Sequence, residues 1–241
     1  MVKELSLVLI ISFVLSNCTL QVTNKDIQEA DNMSQISLKT EDGFNIVGSY
    51  YKGKTDGKGI ILLHMLGRNR HDWDNFALIL QKEGYSVVSI DMRGHGESQG
   101  NFKSFSENDF NNMKLDVKAA KEFLTGKGAT TFGIIGASIG ANTALNYAVS
   151  DSSIKSIVLM SPGLDYRGVK TDSTIKDYDR TVLIIASGED SYSADSSEAL
   201  FSSAKSKKQI KIFQDLGHGT QMLATKEVQT TILNWLMETL K

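Results

Sequence analysis

Three residue types in one chain order could together perform nucleophilic catalysis: a serine set between glycines, then a carboxylate, then a histidine. The serine is Ser138, in Gly136-Ala137-Ser138-Ile139-Gly140. This fits G-x-S-x-G, a pattern that seats a serine on a strained turn between a strand and a helix. The two glycines give clearance, because a side chain at either would collide with a facing element, while Ala137 and Ala141 keep the corner small. The flanks agree with that reading: an apolar β-type run, TFGII, precedes the turn and the helix-forming ANTALNYAV follows it.

A serine hydroxyl is a weak nucleophile until a base takes its proton, and the chain has four histidines. His218, in DLGHGTQM, is the expected base, since it follows the last predicted strand and lies after Ser138 and after the candidate acids. His64 closes a strand and is expected to hold a neighbouring loop by hydrogen bonds. His95, in DMRGHGES, is expected to shape its loop, and His71 to sit at the surface. The third group must fix the imidazole tautomer and stabilise the imidazolium that forms during reaction. SGED offers Glu189 and Asp190; Asp190 is preferred because it lies further into the loop and aspartate is the commoner partner. Asp195 stands third and suits the N-cap of SSEALFSSA better. Acyl transfer also needs donors for an oxyanion. The backbone N–H of Ile139 is the first candidate, aided by the positive end of its helix, and the HMLG loop supplies the second, with Leu66 favoured over Met65.

These residues need a scaffold that brings them to one edge. GIILLHM, YSVVSID, TFGIIGA, IKSIVLMS, TVLIIAS and KQIKIFQD are compact runs rich in Ile and Val, as strands buried on both faces of a parallel sheet should be. QISLKT and FNIVGSYY around EDG read as an antiparallel hairpin, with Asp42-Gly43 providing the tight turn. Helices are expected over 72–82, 107–124, 141–149, 196–204 and 225–240. Alternating strand and helix imply right-handed crossovers. The expected fold is α/β: a doubly wound, mostly parallel eight-stranded sheet with an antiparallel N-terminal hairpin and helices on both faces. In such sheets ligands sit at the carboxyl ends of the strands, and His64, Ser138, Asp190 and His218 all fall there.

At 241 residues the chain fits one domain, and a net charge of −2 with interspersed signs gives no footprint for nucleic acid. Lys205, Lys207 and Lys208 read as a solvated turn before a strand. Neither G-x-G-x-x-G nor a P-loop lysine follows a predicted strand, and no metal-ligand cluster is seen, so no cofactor and no metal are expected. The first residues, MVKELSLVLIISFVLSNC, hold an apolar run too short to span a bilayer but suited to an export signal over residues 1–17. Leu15-Ser16-Asn17-Cys18 resembles the lipobox of bacterial lipoproteins, with Asn17 departing from the small residue usual there. The resemblance implies lipidation of Cys18, the chain's only cysteine, and a membrane anchor in the bacterial cell envelope. An ordinary signal peptide with a chance cysteine is the alternative. Residues 18–35 are polar and aperiodic, as a tether would be.

Over residues 36–241 the chain resembles the α/β-hydrolase family, through LLHMLG, DMRGHGES, GASIG, SGED and LGHG. The resemblance implies Ser138, Asp190 and His218 as a catalytic triad. Met65 stands where that family usually has a glycine. The interval GLDYRGVKTDSTIKDYDR has room only for a short helix or loop where many relatives insert a cap, so an open site without a substantial cap is expected. The compact esterase, dienelactone-hydrolase-like and serine-aminopeptidase-like members are the nearest in kind. The implied activity is hydrolysis of a small ester or thioester through an acyl-serine; an amidase or aminopeptidase with the same triad is the second reading. A non-catalytic envelope binding protein on the same fold is the rival from another class.

Overall fold

The computed structural model describes residues 33–54 and 57–241 of the chain. The expected export signal and Cys18 lie outside the described residues. So does most of the expected tether, whose last residues, 33–35, belong to the first strand.

Eight strands form one sheet: β1 (Met33–Lys39), β2 (Asn45–Tyr51), β3 (Lys58–Leu63), β4 (Ser86–Ile90), β5 (Thr131–Ala137), β6 (Ile154–Met160), β9 (Thr181–Ser187) and β10 (Lys208–Phe213). Their order is β1-β2-β4-β3-β5-β6-β9-β10. β2 runs antiparallel to β1 and β4, and every other pairing is parallel. Between β6 and β9 the chain makes a separate hairpin of two-residue strands, β7 (Asp165–Tyr166) and β8 (Val169–Lys170). The helices are α1 (Asp74–Lys82), α2 (Glu107–Asn111), α3 (Met113–Gly126), α4 (Ile139–Ser150), α5 (Ser191–Ser203) and α6 (Lys226–Thr239). The α/β-hydrolase architecture expected from the sequence is the one observed.

Successive strand residues point to opposite faces, so each apolar strand feeds two cores. Ile61, Leu63, Ile134, Ile157 and Ile184 pack with buried residues of α3, α4 and α5. Ile60, Leu62, Ile135, Val158 and Leu183 pack on the other face with Phe76 and Leu80 of α1 and Val228, Ile232 and Leu236 of α6.

Helix boundaries differ from expectation in two informative places. The helix expected over 107–124 is two helices meeting at Asn112, the first closed at its start by a capping box between Ser106 and Asp109. α5 begins at Ser191 rather than 196, so Asp195 is an interior helix residue and not the expected N-cap; Asp190 holds that position.

The loop after β4, in DMRGHGES, is fixed by buried ions. Asp91 is fully buried and accepts from the Arg70 and Glu97 backbone N–H groups and from the Arg70 guanidinium. Arg93, also buried, donates to Asp116 of α3 (Nε, 2.9 Å) and to Asp42 in the β1–β2 turn (Nη1, 2.7 Å). Gly96 has φ 52°, and a Cβ there would lie 2.2 Å from Asp91 Oδ2, so glycine is required on both counts.

Candidate active site

Ser138 follows β5 and opens α4 with φ 56° and ψ −123°. Positive φ on a non-glycine residue costs roughly 1–2 kcal/mol, and close backbone packing enforces it. The Ser138 N–H donates to Met160 O (2.8 Å), tying the turn to the end of β6. A Cβ on Gly136 would lie 2.2 Å from Gly140 O, and one on Gly140 would lie 2.5 Å from Leu63 O at the end of β3. The clearance reading of both glycines therefore holds, with the helix start and the neighbouring strand as the facing backbones. The turn leaves Ser138 at the floor of a cavity of about 210 Å³, which Met65, Leu66, Arg68, His218 and Gln221 also line.

His218 reaches that cavity from the loop after β10. Its Nδ1 donates to Asp190 Oδ2 at 2.6 Å, which fixes the tautomer with Nε2 free to accept a proton. Of the two acids offered by SGED, the imidazole partner is thus Asp190. Glu189 has a different task that the sequence did not disclose: Ser187 Oγ and the Asp215 N–H donate to its Oε2 (2.6 and 2.8 Å) and the Gly217 N–H to its Oε1 (2.6 Å). These donors, Ser187 first, hold the Glu189 carboxyl down at about 2. Glu189 therefore clamps the loop one residue before His218. On the other side the Gly219 N–H donates to Ser161 Oγ (2.9 Å), Ser161 being fully buried with φ 47°. The His218 N–H donates to Gln221 Oε1 (2.8 Å).

The remaining histidines take the places expected of them. His64 is fully buried; its Nδ1 donates to Met65 O (2.7 Å) and its Nε2 accepts the Met92 N–H (3.0 Å). It bridges the loops after β3 and β4. Burial, with His95 beside it, pushes its imidazole down to about 4 from the ordinary value near 6.5. His95 stacks on Phe102 with ring centroids 4.4 Å apart and donates from Nδ1 to Arg93 O. His71 is exposed, with Asp74 as its partner. By NMR titration, the His64 ring signals are expected to stay at their neutral-form positions from about pH 8 to about pH 5. A midpoint near the ordinary value would contradict its role as a neutral bridge.

Met65, the departure from the glycine usual at its position, is explained by packing. Its side chain is buried against Gly219, where a Cβ would lie 2.4 Å from the Met65 sulfur. The loop carrying Met65 and Leu66 thus rests on the loop carrying His218. Ile139 is the first residue of α4, and N–H groups in a first helical turn have no partner within the helix.

Tyr166 was not singled out from the sequence. It sits in β7, its hydroxyl 3.0 Å from Ser193 Oγ and interacting with the Ser138 side chain, its ring edge-on to His218 with centroids 6.4 Å apart. The hairpin that carries it is pinned by Asn142 Nδ2 to Val169 O (2.7 Å), Thr171 Oγ1 to Gly163 O (2.6 Å) and Tyr192 Oη to Asp165 O (3.0 Å). The short interval between β6 and β9 is a packed wall beside the serine. Its one local signal is Arg167-Gly168, the two positive-φ residues of the turn (56° and 84°).

A family model described as serine aminopeptidase, S33, matches residues 56–177. The chain is 34% identical over 99 residues to a non-heme chloroperoxidase of Streptomyces lividans, covering 40% of this chain and 34% of that protein. It is 35% identical over 98 residues to a bifunctional esterase/perhydrolase of Acinetobacter calcoaceticus, covering 40% and 33%. The chain thus spans about a third of the length of these curated relatives. Among solved structures, an esterase of Pyrococcus furiosus superposes with a TM-score of 0.73 at 19% identity, covering 87% of this chain and 93% of that one. A dienelactone hydrolase of Anabaena variabilis superposes with a TM-score of 0.72 at 17% identity, covering 87% and 100%. At such identities the superpositions speak for the fold. Because the family's own pattern runs through half of the chain, including the loops after β3, β4 and β5, the chain belongs to the serine aminopeptidase S33 family and has the α/β-hydrolase fold.

Proposed function

We propose that the protein is a serine hydrolase that cleaves small carboxylic esters or thioesters through an acyl-Ser138 intermediate. The observation that carries this reading is a strained serine and a histidine on one cavity, the histidine oriented by Asp190 at 2.6 Å. His218 Nε2 takes the Ser138 proton as Oγ attacks the carbonyl carbon, gives it to the departing alkoxide or thiolate, and then activates water for deacylation. Asp190 stabilises the imidazolium of each step. The backbone N–H groups of Ile139 and Leu66 receive the oxyanion, and the start of α4 adds its positive end.

Both the volume and the lining of the cavity support a small acyl group. It holds about 210 Å³, and the Tyr166 hydroxyl stands against the Ser138 side chain. An aminopeptidase would need a carboxylate to hold a substrate ammonium, and the cavity lining has Arg68 and no acid. The ester reading is therefore favoured over the peptidase reading. The sequence of residues 1–18 supports export and acylation at Cys18, which would hold the enzyme at the bacterial cell envelope. A fluorophosphonate is expected to label the protein once, on the peptide containing Ser138, and nitrophenyl acetate and butyrate to be turned over faster than longer acyl esters. Labelling elsewhere, or no labelling with no ester turnover, would shift the weight to a binding protein.

A further inference from the structure

Beside the nucleophile's cavity lies a wider trough of about 500 Å³, and the two share Arg68 and Gln221. We infer that this trough is a subsite for the alcohol portion of the substrate, and that this portion is an uncharged polyol such as a sugar; the inference rests on the ester-hydrolase reading. Position identifies which part of the substrate enters. The group that protonates a leaving alkoxide must stand beside it, and the trough continues from His218 through Gln221, whose Oε1 holds the His218 N–H. Tyr166, which stands by both Ser138 and His218, does not line the trough.

Chemistry identifies the ligand. The one cation, Arg68, is spent on Asp72 through two parallel hydrogen bonds (Nε 2.9 Å, Nη2 2.6 Å), and Thr220 Oγ1 donates to the same carboxylate. The trough therefore offers no net charge to an anionic or cationic group. What it offers instead are neutral hydrogen-bonding groups: the exposed Asn75 amide, the Gln221 amide N–H groups, and Gln229 Oε1, whose Nε2 is occupied by Leu223 O. Neutral donors and acceptors around an open trough that Phe76 and Leu223 also line fit the hydroxyl groups of a sugar, each both donor and acceptor, together with its C–H face. An alkyl chain would leave these groups unpaired.

Two acetyl esters of a hydroxymethyl group on a six-membered ring test this: methyl 6-O-acetylglucopyranoside and cyclohexylmethyl acetate. With two or three neutral hydrogen bonds at about 1 kcal/mol each, kcat/KM for the sugar ester is expected to exceed that for the cyclohexyl ester by tenfold or more, after correction for their rates in alkali. Asn75→Leu and Gln229→Leu are each expected to lower that ratio about fivefold. A ratio at or below one, a ratio unmoved in both variants, or a preference for acetylcholine over the sugar ester would overturn the inference. Hydrolysis of both esters through Ser138 without preference would sink the subsite alone. Failure of the wild-type protein to hydrolyse either ester, with no labelling at Ser138, would sink the reading beneath it.

Discussion

Ser138→Ala is expected to lower kcat on a short nitrophenyl ester by about 10⁵-fold or more, and His218→Ala by a similar factor, with the double variant scarcely slower than either. The non-additivity is the informative part. The serine is useless without a base to take its proton, and the base is useless without the serine, so removing one removes what both do. The same assay separates the two acids. Asp190→Asn is expected to cost about 10⁴-fold in kcat, because an amide facing Nδ1 no longer requires the tautomer that leaves Nε2 unprotonated. Glu189→Gln keeps a group of the same shape but turns one acceptor oxygen into a donor, opposing Ser187 or one of the loop N–H groups it now receives. Its effect is expected to be smaller, on the order of tenfold to a hundredfold, and to appear in kcat more than in KM, since what it displaces first is the base His218. Equal losses from Glu189→Gln and Asp190→Asn would remove the distinction between orienting the imidazole and holding its loop. Full activity in Ser138→Ala would remove the acyl-serine mechanism.

The parts of this site that could be read in the sequence are those whose cause is local or repeated. The strands declare themselves because a doubly buried strand needs a run such as GIILL, and the elbow declares itself because Gly136 and Gly140 must both lack a side chain within five residues. The order Ser, Asp, His follows from placing those residues at strand ends. What escaped notice depends on contacts between distant positions: Glu189 meets the Gly217 N–H across 28 positions, and Ser161 meets the Gly219 N–H across 58. Neither residue type is unusual where it stands. Tyr166 escaped for a related reason, since a two-residue strand has no periodicity to detect. Asp195 was misassigned because α5 starts at Ser191, a polar opening turn that carries no apolar pattern. The local N-cap preference of aspartate was real, but Asp190 already filled that position with its side chain turned to His218.

Asp116→Ala is expected to destabilise the fold by about 3–5 kcal/mol. Asp116 is fully buried on α3, and it receives both Arg93 Nε (2.9 Å) and the Arg93 backbone N–H (2.8 Å). Burial pushes its carboxyl up to about 6 against the pull of Arg93, and a buried ion pair is by itself a weak source of net stability. Breaking it is another matter. Arg93 has 1% of its surface exposed and would keep only Asp42, itself partly exposed, as a charge partner, leaving the buried Nε and the buried backbone N–H of Arg93 without an acceptor. Asp116→Asn should fall between wild type and Asp116→Ala, because the amide oxygen still accepts one of the two bonds. Arg93→Met combined with Asp116→Leu should recover much of the loss, since neither charge is then buried alone. Chemical denaturation of these proteins and of the single variants Arg93→Met and Asp116→Leu would measure this; additive losses in the double variant would show that volume, and not an unpaired polar group, sets the cost. The effect should also reach the chemistry. Met92, adjacent to Arg93, donates to His64 Nε2, and His64 Nδ1 holds Met65 O in the loop proposed to receive the oxyanion. In conditions where Asp116→Ala is still folded, kcat is therefore expected to fall while fluorophosphonate still labels Ser138, because the hydrogen bonds that fix the nucleophile's turn run to Met160 of β6 and within the start of α4, and none involves Arg93.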